Sequence, residues 1–108
     1  MKYMKYSGLV AAAMVAMAGA AQAEVTLSVL IDSGADTEAV WAAFTEAYSA
    51  MNPDVSFDIE VRPGGAEGDN IIKTRLATGE MTDVFTYNSG SLFQALNPTE
   101  TLVDLSDL

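Results

Sequence analysis

Three short polar segments contain most of the groups through which this chain could bind a small molecule. They are Asp32-Ser33-Gly34, Pro63 to Gly68, and Asn88-Ser89-Gly90. Each follows a run of residues typical of a β-strand. If the strands are parallel, the segments emerge at the same edge of the sheet and can contact one ligand. The sequence therefore predicts a binding site at that edge.

The middle segment, GGAEGD, resembles three known motifs and satisfies none of them. Its glycines do not have the G-x-G-x-x-G spacing of a dinucleotide fingerprint, and it lacks the Gly-Lys-Ser/Thr ending of a phosphate loop. The calcium nonapeptide pattern fails because one glycine is displaced and there is a single copy. The interpretation that remains is a flexible loop with a carboxylate, suited to hydroxyls or a cationic group. A solvated turn that contacts no ligand is an equal alternative.

Catalysis has little support in the composition. The chain has no Cys and no His, which removes the usual nucleophile–base pairs and the commonest metal ligand. Its 15 acidic residues include no pair that stands out as a glycosidase dyad. We predict no catalytic residue, no metal site and no cofactor. Trp41 could stack on a sugar, although core packing is the better interpretation, and Tyr87 is open between the two.

The elements that would position the three segments follow from periodicity. Strands are predicted at 25–31, 55–62 and 83–87, the second with a strict alternation typical of a strand near a sheet edge. Asp36 or Thr37 should cap the start of the first helix, whose apolar residues share one face. A second helix should be capped by Asp69 or Asn70 and end at Gly79, and one or two helical turns should cover 91–96 before Asn97-Pro98. The apolar face of the first helix consists of Val40, Phe44, Ala47, Tyr48 and Met51.

The order of elements is βαβαβα, which predicts an α/β fold with a parallel sheet. Residues 1–23 have the features of a cleavable signal peptide: a basic start, a short apolar run and Ala21-Gln22-Ala23 as the cleavage site. The remaining segment, 24–108, has fifteen acidic and three basic side chains, a net charge of −12. So acidic a surface repels nucleic acid and anionic lipid. We expect a secreted protein that binds no nucleic acid and does not insert into the membrane after cleavage.

With its elements placed, the sequence resembles the bacterial extracellular solute-binding proteins of ABC importers, family 1, the sugar type. The resemblance covers 24–108 and depends on VTLSVLIDSG, on AVWAAFTEAYSAMNPDVSFDIEV, and on the helix-to-strand passage RLATGEMTDVF with the later LVDLSDL. Thr82 stands where the family usually has proline before the Asp-Val of the third strand. The family's aromatic residue soon after the first strand is also absent.

The resemblance implies the start of the N-terminal lobe of a two-lobed periplasmic-binding-protein fold, so 24–108 would be a partial lobe of a longer protein. The family captures a small solute, here expected to be a carbohydrate or polyol, in the cleft between its lobes. Members of the family deliver that solute to the transmembrane subunits of an ABC permease. The resemblance therefore also implies that this protein is periplasmic and is not an enzyme. The ligand contacts carried over by position are Ser33, Gly34, Gly65, Glu67, Asn88, Ser89 and Gly90.

Two alternatives from other functional classes remain. One is a secreted carbohydrate-active hydrolase that uses Asp and Glu, and the other is a small standalone secreted interaction domain.

Overall fold

The computed structural model describes residues 24–108, so the predicted signal peptide lies outside the described part. The elements alternate between strand and helix as predicted, with one short helix added at the end. In chain order they are β1 (Val25–Asp32), α1 (Ala35–Met51), β2 (Val55–Arg62), α2 (Gly65–Thr78), β3 (Val84–Phe85), α3 (Ser91–Gln94) and α4 (Pro98–Thr101).

The three strands form a parallel sheet in the order β2-β1-β3. The predicted α/β class and parallel pairing are confirmed. The central strand β1 is covered on both sides, and its residues Val29, Leu30 and Ile31 are at most 1% exposed. β2 lies at the edge of this sheet, as its alternating pattern predicts.

The two long helices cover opposite faces of the sheet. β2 and β3 flank β1 on different sides, so the two crossovers run in opposite directions and their helices lie on different faces. On one face Leu30 packs with Ile72 of α2 and with Leu96. On the other, the ring of Tyr48 in α1 contacts that of Phe57 edge to face, with centroids 5.7 Å apart.

The apolar stripe of α1 is not the face that packs closely on the sheet. Val40 is 67% exposed and Met51 79%, whereas Thr45 is buried. Thr45 can be buried because its hydroxyl donates to the carbonyl of Trp41 at 2.9 Å. Trp41 is half-buried against Phe44, with ring centroids 5.7 Å apart, which agrees with packing rather than an exposed sugar platform. The spacing of apolar residues identified one face of α1, but it did not show which face of the helix packs on the sheet.

The predicted boundaries of the helices require correction. α1 is capped at Gly34, two or three residues before the predicted cap, and α2 is capped at Gly64 instead of Asp69 or Asn70. Most of the predicted Pro63–Gly68 loop is therefore helix. Gly79 ends α2 in the left-handed conformation at φ 73°, as predicted.

The third strand is shorter than predicted, and the chain beyond it is more helical. β3 is only Val84–Phe85, although the Thr86 N–H still donates to the Leu30 carbonyl at 3.0 Å. The helical turns predicted after Gly90 are present as α3. Asn97-Pro98 ends them and also starts α4, since a proline fits the first turn of a helix.

The start of β3 is attached to β1 by a reciprocal set of hydrogen bonds. The Ser28 N–H and hydroxyl both donate to Asp83 Oδ2 at 2.9 Å, and the Asp83 N–H donates back to Ser28 Oγ at 2.9 Å. Thr82, where the family resemblance has proline, secures the same turn by donating its hydroxyl to the Val84 carbonyl at 2.8 Å. Side-chain hydrogen bonds therefore fix the turn that leads into β3.

These bonds predict an acid-dependent contribution to stability from Asp83. The backbone and hydroxyl donors of Ser28 lower the pKa of Asp83 below its ordinary value. A depressed carboxylate pKa stabilises the fold above the unfolded-state value, near pH 4, and the contribution is lost as pH falls through the folded-state value. In Asp83→Asn, unfolding free energy measured by urea titration should therefore fall less between pH 5 and pH 2.5 than in the wild type.

The matched control is Asp58→Asn, an exposed residue of β2 that makes no side-chain hydrogen bond within residues 24–108. Its stability should follow the wild-type pH profile. If Asp83→Asn and Asp58→Asn lose stability in parallel on acidification, the bridge between Ser28 and Asp83 does not carry the pH dependence.

Candidate functional site

A row of polar side chains lies across the carboxyl edge of the sheet. Asp32 and Arg62 end their strands as paired residues, on the same face as Leu30 and therefore towards α2. The guanidinium of Arg62 forms an ion pair with Asp32 and lies 3.4 Å from Oδ1 of Asp69 in α2. Arg62 is 4% exposed, so this cation is held between two carboxylates and almost entirely removed from water.

The segment after β3 completes the row. The Arg62 Cζ atom lies 5.9 Å from the centre of the Tyr87 ring, within the range of a cation–π contact. Asn88 Nδ2 donates to Asp69 Oδ1 at 3.3 Å, and the Asp32 N–H donates to Thr86 Oγ1 at 3.2 Å. The carboxyl ends of all three strands are thus joined by side chains, which is the convergence that parallel topology predicts.

The close approach of α2 to this row depends on Gly68. Gly68 is buried, and a β-carbon built on it would collide with the Pro63 carbonyl oxygen and lie 2.5 Å from Arg62 Nη1. Glycine at this position allows the first turn of α2 to lie against the end of β2. The sequence predicts a loop for this glycine-rich segment, but in the structure it begins α2. Its glycine lets the helix backbone pack closely against the end of β2.

The electrostatics of the row leave hydrogen-bond acceptors facing outwards. Its single guanidinium faces two carboxylates, so the row carries a net negative charge. The Asp32 side chain is 47% exposed and that of Asp69 22%. Two buried atoms, Arg62 Nε and Tyr87 Oη, have no hydrogen-bond partner within residues 24–108. Because almost all buried polar atoms in native proteins are paired, such atoms mark a place where structure is not optimised for stability alone.

The segment after β1 lies beside this row. The Ser33 N–H donates to the Arg62 carbonyl at 3.1 Å, and Ser33 Oγ lies 3.8 Å from where a β-carbon on Gly64 would be. Gly34 caps α1 with φ 153°, and its N–H reaches Glu38 Oε1 at 3.5 Å. Gly65, at φ 67°, is the exposed first residue of α2.

The remaining predicted residues divide into two groups. Asn88 joins the row through Asp69, and the exposed Ser89 and Gly90 follow it, with Gly90 capping α3 at φ 70°. Glu67 instead lines a hollow of about 500 Å³ along α2 that extends to Arg75 and Glu80. It is a helical residue whose side chain does not join the polar row. As ligand contacts, all seven residues remain predictions.

Sequence reasoning missed Asp32, Arg62 and Asp69 as members of the site. Asp69 was predicted as a helix cap, Arg62 as the end of the second strand, and Asp32 as part of the segment after the first strand. A signal was available, because Asp32 and Arg62 have opposite charges, and Asp32 directly follows the first predicted strand while Arg62 ends the second. Parallel strands of equal length place such residues side by side.

Two further observations concern residues 24–108 as a whole. No helix in this range is long and apolar enough to cross a membrane. No group of three or more acidic side chains in the same range is arranged to hold a metal ion.

The packing at Gly68 gives a test of the site's architecture. Glycine to alanine in a helix normally stabilises by about 1 kcal/mol. Here the added methyl group should destabilise by about 2–3 kcal/mol, the usual scale of overpacking, because it meets a backbone oxygen that cannot rotate away. Urea denaturation of Gly68→Ala measures the change in unfolding free energy.

Gly64→Ala is the matched control. Gly64 has ordinary extended angles, φ −74° and ψ 167°, and its added methyl would meet Ser33 Oγ at a normal contact distance. Its cost should stay within about 1 kcal/mol. Equal losses in both variants would contradict the tight contact between α2 and the end of β2.

Comparison with known proteins gives one structural relative. No protein-family model matches the chain, and the search of curated proteins found no match. Among solved structures, the fold is similar to an extracellular solute-binding protein family 1 from Alicyclobacillus acidocaldarius subsp. acidocaldarius DSM 446. The TM-score is 0.51 at 24% sequence identity, and the match covers 56% of this chain and 15% of that chain. The matched part of this α/β fold is therefore similar to part of a solute-binding protein.

Proposed function

We propose that residues 24–108 form part of the N-terminal lobe of an extracellular solute-binding protein, the component of an ABC importer that captures a small solute and delivers it to the membrane permease. The bound solute is a carbohydrate or polyol, held in a cleft that a second lobe completes. The protein makes and breaks no covalent bond in this role. Its secretion signal is 1–23, and it acts in the periplasm.

The observation that carries this proposal is the polar row of Asp32, Arg62 and Tyr87 at the carboxyl edge of the sheet. The loop after β1 leads to α1 on one face, and the loop after β2 leads to α2 on the other. Adjacent loops that diverge in this way open a crevice, the usual ligand position in open α/β sheets. The one ion pair between these two strands, of Asp32 with Arg62, lies where that crevice begins.

The hydroxyl-rich ligand class follows from the groups exposed there. Asp32 offers a carboxylate oxygen, and Asn88, Ser33 and the glycine backbones offer neutral donors and acceptors. An anionic ligand would meet the unfavourable net charge of the row and the acidic first turns of α1 and α2. The likeness to a solute-binding protein in fold supports the same class of role.

A hydrolase that uses two carboxylates is less well supported by the same groups. Both acidic residues of the row bind one guanidinium, an arrangement that orients the carboxylates as fixed acceptors. A general acid needs a carboxyl group that is free to hold and release a proton. The arrangement of this row therefore favours a binding protein over a hydrolase.

Binding predicts a ligand-dependent thermal midpoint. The mature protein, expressed from its complete gene, should gain about 2.7 kcal/mol when a cognate ligand is present at 100 times its Kd. In a scanning fluorimetry panel of aldohexoses, pentoses and polyols, at least one should raise the midpoint by ~5 °C. A midpoint that responds only to a polyamine, a peptide or an iron complex would remove the carbohydrate class and keep the binding role. No response to any solute would contradict both.

Asn88→Ala tests the edge of the sheet as the binding position. Loss of the exposed amide, and of its hydrogen bond to Asp69, should weaken binding of the stabilising sugar about 10-fold, measured by calorimetry. Asn70→Ala, at an exposed amide along the hollow that Glu67 lines, is the matched control and should bind as the wild type does. Equal affinities in the two variants would place the ligand elsewhere.

A further inference from the structure

The strand-end pair of Asp32 and Arg62 has a more specific role than a link between β1 and β2. Neither Asp32 nor Arg62 is among the seven predicted ligand contacts. The structure buries the arginine and leaves half of the aspartate side chain exposed. The aspartate therefore borders solvent, whereas the cation that pairs with it does not.

The geometry fixes one oxygen of Asp32 and leaves the other available. Arg62 Nη2 contacts Asp32 Oδ1, and no hydrogen bond within residues 24–108 reaches Oδ2. The Asp32 backbone is fixed as well, since its N–H donates to Thr86 Oγ1. Because both the backbone and one carboxylate oxygen of Asp32 are held in place, the second oxygen points in a defined direction. This lowers the entropy cost of binding a ligand to it.

Arg62 is itself held from three sides. Asp69 contacts the other end of the guanidinium, the Tyr87 ring lies beside it, and Gly68 permits α2 to close over it. Its unpartnered Nε and the unpartnered hydroxyl of Tyr87 are buried in the same row. The cation cannot reach an incoming anion, because it is 96% buried behind the carboxylates that it pairs with. A charge of this kind orients other groups rather than binding ligand directly.

We infer that Asp32 is the carboxylate that faces the solute, that Arg62 is its positioning residue, and that together they make the site selective by charge. The site accepts hydroxyl or ammonium donors and rejects carboxylate-bearing or phosphorylated solutes. This inference rests on the proposed solute-binding function and adds the residue and the charge class to it.

The test compares sugars that differ only in charge. Glucose, galactose and mannose are measured by calorimetry with the mature wild-type protein, together with the uronate and the 2-amino sugar of each. The neutral or amino form of at least one sugar should bind at least 10-fold more tightly than its uronate. In Asp32→Asn, which keeps an acceptor oxygen but removes the charge, affinity for the neutral form should fall about 10-fold while the uronate loses little or gains.

Asp58→Asn is the matched control, an aspartate on the same face of β2 but four residues from the edge. It should leave both affinities unchanged. If Asp32→Asn does not fold, Asp32→Glu keeps the charge for Arg62 and displaces the carboxylate by one methylene group. That variant should bind the neutral sugar more weakly and still reject the uronate.

The outcomes separate the two proposals. Binding of a sugar with the same affinity and the same charge preference in Asp32→Asn, or in Asp32→Glu where the first does not fold, overturns the role of Asp32 and keeps the solute-binding function. A uronate that binds the wild type as tightly as its neutral sugar overturns the charge selection. Absence of binding to every sugar form overturns the carbohydrate function, and the inference with it.

Arg62→Lys tests the positioning role separately. Lysine keeps the positive charge but cannot reach Asp32 and Asp69 together with a planar fork. The neutral sugar should bind at least 5-fold more weakly at a temperature where the variant is fully folded, with the preference over the uronate retained. An unchanged affinity would show that Arg62 does not orient Asp32.

Discussion

A buried guanidinium between two carboxylates is the constraint on which the rest of this structure depends. Removing an arginine from water is costly unless its charge is paired and its donors are used. The charge of Arg62 is paired with Asp32 on the neighbouring strand and Asp69 on the helix that follows, and only its Nε lacks a partner within residues 24–108. The pairing holds only if β1 and β2 keep their register and α2 begins close to the end of β2. One side chain therefore ties strand register, helix position and the edge of the sheet together.

The two faces of the sheet meet different physical demands. On the face towards α2, Leu30 packs against Ile72, and the charged row lies beyond this contact at the carboxyl edge of the sheet. At the edge strand β2 the same face is polar, and Glu60 forms a two-point ion pair with Arg75, with contacts of 2.7 and 2.8 Å. That exposed pair lowers the pKa of Glu60 and raises that of Arg75, mainly through their hydrogen bonds. Towards α1, Val29 and Ile31 are fully buried and packing is apolar.

This division gives the functional edge its character. A parallel sheet brings the ends of its strands to one side, and the hydrophobic centre ends one residue before them. Groups at that point are rigid because the core below them is rigid, and they are polar because they border solvent. Rigid acceptors on secondary structure bind with less ordering cost than the same groups on a free loop. The position of Asp32 at the end of the most buried strand suits this purpose.

Much of the architecture could be predicted from the residues alone. The apolar run of β1, the alternation of β2 and the glycine at the end of α2 each reflect local physics. For this reason the predicted parallel pairing, the edge position of β2 and the end of α2 at Gly79 agree with the structure. The start of α2 could not be predicted, because glycine clusters usually indicate loops and only the contact of Gly68 with the end of β2 explains a helix there. The face of α1 that packs on the sheet could not be predicted either, because the periodicity of apolar residues does not show which element a helix face contacts.

The sequence by itself determined the repeating α/β pattern, the acidic surface and the three polar segments after the strands. Only the tertiary structure decided that Asp32, Arg62, Asp69 and Tyr87 form one row while Glu67 faces elsewhere. The physical reason is that burial of a charge is a property of its surroundings and not of its position in the chain. Arg62 is two residues before a glycine-rich segment that indicates solvent, and it is buried because partners from three separate segments of the chain enclose it.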